Sequence, residues 1–211
     1  MLINFSKMHG LGNDFVVIDA INQSIDLSEE QIKRMADRHY GIGFDQLLLV
    51  REARSDADFR YVIYNADGGE VSQCGNGARC FALFVRQKGL TDKNSIRVET
   101  LAGELVLDIN EDDLVTVNMG EPRFSPECIP LLSEQQQQLY SVEVAGETID
   151  FSAVSMGNPH AVIQVDNVET AALESVGAAL ESHALFPERV NVGFSEISGQ
   201  SSIKLRVFER D

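Results

Sequence analysis

The chain has no tryptophan, only 5 prolines and only 3 cysteines, and its 17 lysines and arginines are far outnumbered by 33 aspartates and glutamates. Each shortage excludes something. A net charge of −16 with no basic stripe or Lys/Arg cluster repels nucleic acid and anionic membrane surfaces, so neither is expected as a partner. A small zwitterionic ligand remains compatible, because local groups decide its binding. The longest apolar runs, at 47–50 and 81–85, are far too short to span a bilayer. The N-terminal stretch MLINFSKMHG lacks a basic segment followed by an apolar one, so no secretory signal is expected. Cys74, Cys80 and Cys128 form an odd, sparse set, which points to a reducing compartment rather than a disulfide framework. Without a CxxC pair, and with the four histidines scattered, no zinc site is expected. The reading is a cytoplasmic, metal-free protein.

What is present suffices for one large domain or two small ones: 44% of the 211 residues are hydrophobic. Runs rich in Val, Ile, Leu or aromatics at 15–19, 46–50, 60–64, 95–99, 104–109 and 114–118 are bounded by Gly, Asn or Asp and predict strands. Ser28 followed by Glu29 and Glu30 predicts a helix start, with Ile32, Met35 and Ala36 on its apolar face. A second helix is expected over about 78–88, after the sequence CGNG and before Gly89. Beyond Asn118, the segment MGEPRFSPECIP carries three of the prolines, and SEQQQQLYS is polar and of low complexity. It reads as an interdomain connection with a solvated Gln run. The chain thus divides at 118/119.

The two halves echo one another. Residues 12–18 (GNDFVVI) are answered by 157–163 (GNPHAVI), 41–44 (GIGF) by 191–194 (NVGF), and 60–65 (RYVIYN) by 204–209 (KLRVFE), in the same order. Together they predict two copies of one α+β unit with a site between them. In the first copy the strand ending at Asn65 leads nine residues later to Cys74. In the second copy the strand ends at Glu209, so the counterpart of Cys74 is expected beyond Asp211.

Residues 65–80, NADGGEVSQCGNGARC, run from a strand through a glycine-rich turn into a helix. Gly75 and Gly77 let backbone amides approach a ligand closely. The helix start offers free N–H groups and a positive dipole end to an anion such as an α-carboxylate. A cysteine there is expected to have a lowered pKa. A base beside a carboxylate cradle is what removal of a proton alpha to a carboxylate requires. The plainer reading makes Cys74 a small buried hydrophobe at a helix start. That plainer reading prevails for Cys80, on the apolar side of the helix with Ala82, Leu83 and Phe84, and Cys128 has no chemical partner among its prolines.

The segments KMHGLGNDFVVID, YGIGFDQLL, YNADGGEVSQCGNGARC, GNPHAVI, PERVNVGF and LRVFER resemble stretches of the diaminopimelate epimerases, in that family's order and over essentially the whole chain. The resemblance implies an α+β fold of two pseudo-symmetric domains, each a central helix wrapped by mostly antiparallel sheet, with the substrate between them. It implies a two-base exchange of the α-proton without pyridoxal phosphate or any other cofactor, interconverting LL- and meso-diaminopimelate for lysine and peptidoglycan precursor synthesis. Cys74 is then one of the two acid/base thiols, and Gly75 and Asn76 hold the substrate. Asn13, Gln46, Asn65, Asn158 and Asn191, with Glu209 and Arg210, read its ammonium and carboxylate groups, Arg210 as a bidentate clamp. His160 and Glu209 tune the protonation of the thiols. Where the family continues through a glycine turn to its second cysteine, this sequence has Asp211. The second domain is therefore expected to be incomplete and the activity of the chain alone to be low. Two rivals follow: a non-catalytic paralogue that binds amino acids or pairs with a full-length subunit, and another pyridoxal-phosphate-independent racemase of the same fold. A homodimer is the default assembly.

Overall fold

Strands that are apolar at every position need cover on both faces, and the first half of the chain supplies it. The computed structural model describes residues 2–144 and 146–209. Its contacts divide into two units, Met1–Met119 and Gly120–Asp211. In the first unit the strands are β1 (Ser6–Gly10), β2 (Asn13–Asp19), β3 (Gln46–Arg51), β4 (Phe59–Asn65), β5 (Glu70–Val71), β6 (Ser95–Thr100), β7 (Gly103–Ile109) and β8 (Val115–Asn118). They form one sheet in the order β1-β2-β3-β4-β6-β7-β8, with β5 on β4. The two runs without alternation, 15–18 in β2 and 47–50 in β3, are fully buried and lie side by side in parallel.

One helix covers each face. In α1 (Glu29–Ala36) a capping box closes the first turn: the Ser28 side chain accepts from the Gln31 N–H, and the Gln31 side chain accepts from the Ser28 N–H. Ile32 and Ala36 pack on Val16, Ile18, Leu47 and Leu49. In α2 (Gly75–Gln87), Phe81, Ala82 and Val85 pack on the opposite set, Phe15, Val17, Leu48, Val50, Tyr61 and Ile63. Because α2 also touches both β1 and β8, the two ends of the strand order, the sheet must curl around it.

The second unit is built from β9 (Tyr140–Val144), β10 (Glu147–Ser155), β11 (Pro159–Gln164), α3 (Leu173–Glu181), β12 (Asn191–Gly199) and β13 (Ser202–Phe208), in the order β13-β12-β11-β10-β9. Again one helix touches both ends: α3 contacts β12 and β13 at one side and β9 at the other. The fold is α+β, with two curled, mostly antiparallel sheet bodies, as expected.

Registers show how far the repeat goes. Phe15 pairs with Gln46 across the parallel strands β2 and β3, and Gln46 pairs with Asn65 in β4. In the second unit His160 pairs with Asn191 across the parallel strands β11 and β12, and Val192 pairs with Phe208 in β13. The first and third sequence echoes are therefore structural counterparts. The middle one is out of register: the partner of Asn191 in the repeat is Gln46, not Gly41. Moreover α3, which crosses between parallel strands, is the counterpart of α1, not of α2. Phe208 packs on the α3 side of its sheet, while Ile203, Leu205 and Val207 are exposed on the other.

Candidate active site

After β4 the chain turns at once. The Asn65 carbonyl accepts from the Gly68 N–H at 2.9 Å, and the Asn65 N–H donates to the Gly69 carbonyl at 2.9 Å. Gly68 has φ +85°, and a Cβ there would lie 2.8 Å from Glu29 Cα, so the turn needs glycine twice over. The chain then reaches Cys74, extended at φ −147° and ψ 111°, which is the N-cap of α2. Its Sγ accepts from the Gly77 N–H at 3.4 Å. No acidic side chain occupies the first turn of α2, so the positive end of the helix is not neutralised from within.

Cys74 is held from beneath by Tyr61. The fully buried phenol donates to the Cys74 carbonyl at 3.3 Å. Burial, then the nearby Cys74 and Cys80, push the Tyr61 hydroxyl well above its ordinary pKa, which keeps it a donor. Gly77 makes room for that hydroxyl: a Cβ there would stand 2.2 Å from Tyr61 Oη. Cys80 is 3% exposed in the core, and burial pushes its thiol up against the opposing effect of Arg79. Cys128 is exposed.

The amides of the first unit form two short chains. Arg79 donates to Asn76 Oδ1, and Asn76 Nδ2 donates to Asn13 Oδ1 at 2.8 Å. Gln46 Nε2 donates to Asn65 Oδ1 at 2.9 Å. Gln46 Oε1 is buried with no hydrogen-bond partner among the described residues, an arrangement that costs about 1–3 kcal/mol unless a donor reaches it.

Between Asn13 and Gln46 the starts of β2 and β3 are clamped together. The Asp14 N–H donates to Asp45 Oδ2 at 2.9 Å, and the Asp45 N–H returns a bond to Asp14 Oδ1 at 3.0 Å. Arg38 donates to both Asp14 oxygens and to Asp45, and Lys7 pairs with Asp14 at 2.7 Å. Arg38 foremost, with Lys7 and against a burial penalty, holds the Asp14 carboxyl well below the usual carboxylate range. Its unfolded value is about 3.9, so the stabilisation is fully present above about pH 4 and is lost as pH falls through the native value. Asp14→Asn is expected to cost about 1–2 kcal/mol at pH 7, after discounting for solvent screening. That difference should shrink in acid below about pH 4, as chemical denaturation at a series of pH values would show.

In the second unit His160 Nε2 lies 3.0 Å from Asn158 Oδ1, and Asn191, 5% exposed, donates through Nδ2 to the Pro159 carbonyl at 3.2 Å. Glu209 follows β13 and is exposed. Arg210 lies outside the described residues. Thus Asn13, Gln46, Asn65, Cys74, Gly75 and Asn76 gather at one end of the first sheet, and Asn158, His160 and Asn191 at the corresponding strand starts of the second. Sequence reasoning missed Tyr61, Arg79 and the Asp14–Arg38–Asp45 clamp. Only Arg79 carried a signal, its spacing of three from Asn76 on one helix face. Among the described residues no group of three or more His, Cys, Asp or Glu is placed to hold a metal ion, and no helix is long and apolar enough to cross a membrane.

Among solved structures, a probable proline racemase from Agrobacterium radiobacter with bound carbonate is similar at a TM-score of 0.71 and 16% identity, covering 98% of this chain and 70% of that one. A hydroxyproline epimerase from Agrobacterium vitis with bound trans-4-hydroxy-L-proline follows at 0.66 and 15%, covering 96% and 69%. A phenazine biosynthesis protein of the PhzF family from Bacillus anthracis reaches 0.58 and 21%, covering 99% and 71%. At such identities these likenesses show the fold alone. The sequence profile of diaminopimelate epimerase matches residues 5–125 and 152–211, and the chain belongs to the diaminopimelate epimerase family. It is an enzyme of the pyridoxal-phosphate-independent isomerase class.

Proposed function

We propose that the chain carries the proton-transfer site of a diaminopimelate epimerase, with Cys74 as an acid/base thiol. The observation that carries the reading is the position of that thiol: it caps α2, takes the Gly77 N–H, and stands beside a helix start without acidic residues. A substrate α-carboxylate on the free N–H groups of that start brings the α-hydrogen next to Sγ. The thiolate then takes the α-proton and the bonding pair stays on the α-carbon. Return of a proton from the same thiol, after exchange with solvent, labels the α-carbon with retention, and inversion requires a second acid on the opposite face. Gly75 and Asn76 hold the carboxylate. The buried Gln46 Oε1 suits an ammonium donor, and amide nitrogens of Asn13 and Asn65 suit carboxylate oxygens. Asn158, Asn191, Glu209 and Arg210 read the remaining ammonium and carboxylate, and His160 and Glu209 tune protonation. A cytoplasmic place in lysine and peptidoglycan precursor synthesis follows from that substrate.

The test is incubation of the chain with one diaminopimelate stereoisomer in deuterated water, followed by proton NMR and chiral analysis. Deuterium at the α-carbon is the expected result; its complete absence, with no binding by calorimetry, would overturn the reading. A second reading, a racemase acting on a cyclic amino acid, is favoured by the similarity to the probable proline racemase and the hydroxyproline epimerase. The same assay with proline separates the two.

A further inference from the structure

A primary amide is two-faced: its oxygen only accepts and its nitrogen only donates, so the face a ligand meets depends on which face is already engaged. Neighbouring amides can usually turn over together, exchanging every donor for an acceptor. At the head of α2 one member of the chain cannot turn. A guanidinium has five N–H donors and no acceptor, and Arg79 donates to Asn76 Oδ1. Asn76 must then present Nδ2 to its other neighbour, and does so to Asn13 Oδ1 at 2.8 Å. With its oxygen engaged, Asn13 meets a ligand through its N–H groups.

We propose that Arg79 is a positioning residue that fixes the direction of the Asn76 and Asn13 amides, so that Asn13 faces the substrate as a donor and selects a carboxylate oxygen. The selection rests on the proposed function above, whereas the direction itself is a property of the chain. Helix geometry makes the arrangement local, since residues three apart share one face. All three side chains are half-buried, so water competes less for the two bonds than at an open surface. A charged donor at the head of the chain also polarises the bonds below it. The other amide pair behaves oppositely: Gln46 spends its nitrogen on Asn65 and keeps a buried oxygen. One end of the sheet therefore offers a donor at Asn13 and an acceptor at Gln46, the polarity needed by a ligand that carries a carboxylate and an ammonium.

The experiment is side-chain amide NMR on the chain labelled with 15N and 13C, in the native protein, Arg79→Lys, Arg79→Leu and Arg79→Glu. In the native protein a coupling across the hydrogen bond from the Asn76 amide nitrogen to the Asn13 carbonyl carbon is expected, and Arg79→Lys, still a pure donor, should keep it. Arg79→Leu should abolish the preference. Arg79→Glu, which offers only acceptors, should reverse it, so that the coupling runs from the Asn13 nitrogen to the Asn76 carbonyl. The native direction persisting in a folded Arg79→Leu or Arg79→Glu protein would overturn the assignment. Calorimetry with diaminopimelate then reads the consequence: affinity about tenfold weaker in Arg79→Leu and restored in Arg79→Lys. Failure of the native protein to bind diaminopimelate would count against the proposed function, while the coupling still decides the role of Arg79.

Discussion

Gly77→Ala is expected to destabilise the first unit by about 2–3 kcal/mol, although alanine is the better helix former, because the added methyl has nowhere to go. Its Cβ would lie 2.2 Å from Tyr61 Oη and 3.3 Å from Leu48 Cδ2. Both neighbours are in the core, at 2% and 0% exposure, so neither can swing aside. The next nearest atom, Leu48 Cδ1, is at 3.4 Å, so one oxygen causes the whole severe clash. That makes the prediction sharp. Tyr61→Phe alone should cost about 1 kcal/mol for the lost bond to the Cys74 carbonyl. In that background Gly77→Ala should cost less than about 1 kcal/mol. Denaturant melts of the four proteins give the coupling directly, and strictly additive costs would show that the helix head is not seated on Tyr61.

The same contact explains what could be read in advance. The strands at 15–19, 46–50, 60–64, 95–99, 104–109 and 114–118 and both helices of the first half emerged within a few residues, because their apolar periods and end signals agree with the burial they reach. Among the missed elements, β9 (YSVEV) does alternate buried and exposed residues but directly follows the polar Gln run, whereas others lack those signals. In β1, SKMHG, exposure alternates only between partial and full and Met8 is the one apolar side chain of any size, so no apolar–polar alternation marks it in the sequence. The nine-residue α3 follows Ala172, which provides no side-chain cap, and contains Gly177, which is needed because a Cβ there would stand 2.8 Å from Phe208. At the site, the motif around Cys74 was legible because glycines before and within a helix start are chemically unusual. Tyr61 was not, since a strand aromatic reads as core until its hydroxyl is found on the Cys74 carbonyl. The Asp14–Arg38–Asp45 clamp joins residues up to 31 apart through a fold that no spacing rule supplies.

The repeat teaches a related lesson. Asn13 and Asn158, Gln46 and Asn191, Asn65 and Glu209 occupy like places at strand ends, yet their bonding differs. Gln46 gives its nitrogen to Asn65 and retains a buried oxygen, whereas Asn191 gives its nitrogen to the Pro159 carbonyl. Pro159 stands where the first unit has Asp14 of the clamp. The fold therefore repeats positions, while the choice of donor or acceptor at each is made by its neighbours.

Cys74→Ser separates the thiol as a base from the thiol as a cap. Serine is among the best N-cap residues, and its oxygen can take the Gly77 N–H that Sγ takes at 3.4 Å. Stability should hold or rise by a few tenths of a kcal/mol. The chemistry should not survive the exchange of atoms. A free thiol ionises near 8.5 and lower at a helix start, whereas a serine hydroxyl stays protonated at neutral pH without a base beside it. Deuterium incorporation at the α-carbon of diaminopimelate should therefore fall about 10²–10⁴-fold. If Cys74 were only a small buried side chain, the outcomes would exchange places: a polar oxygen in its position would cost stability, and proton exchange would continue within a few-fold of the native rate. Thermal melts alongside the exchange assay, on the same two proteins, decide which of these Cys74 is.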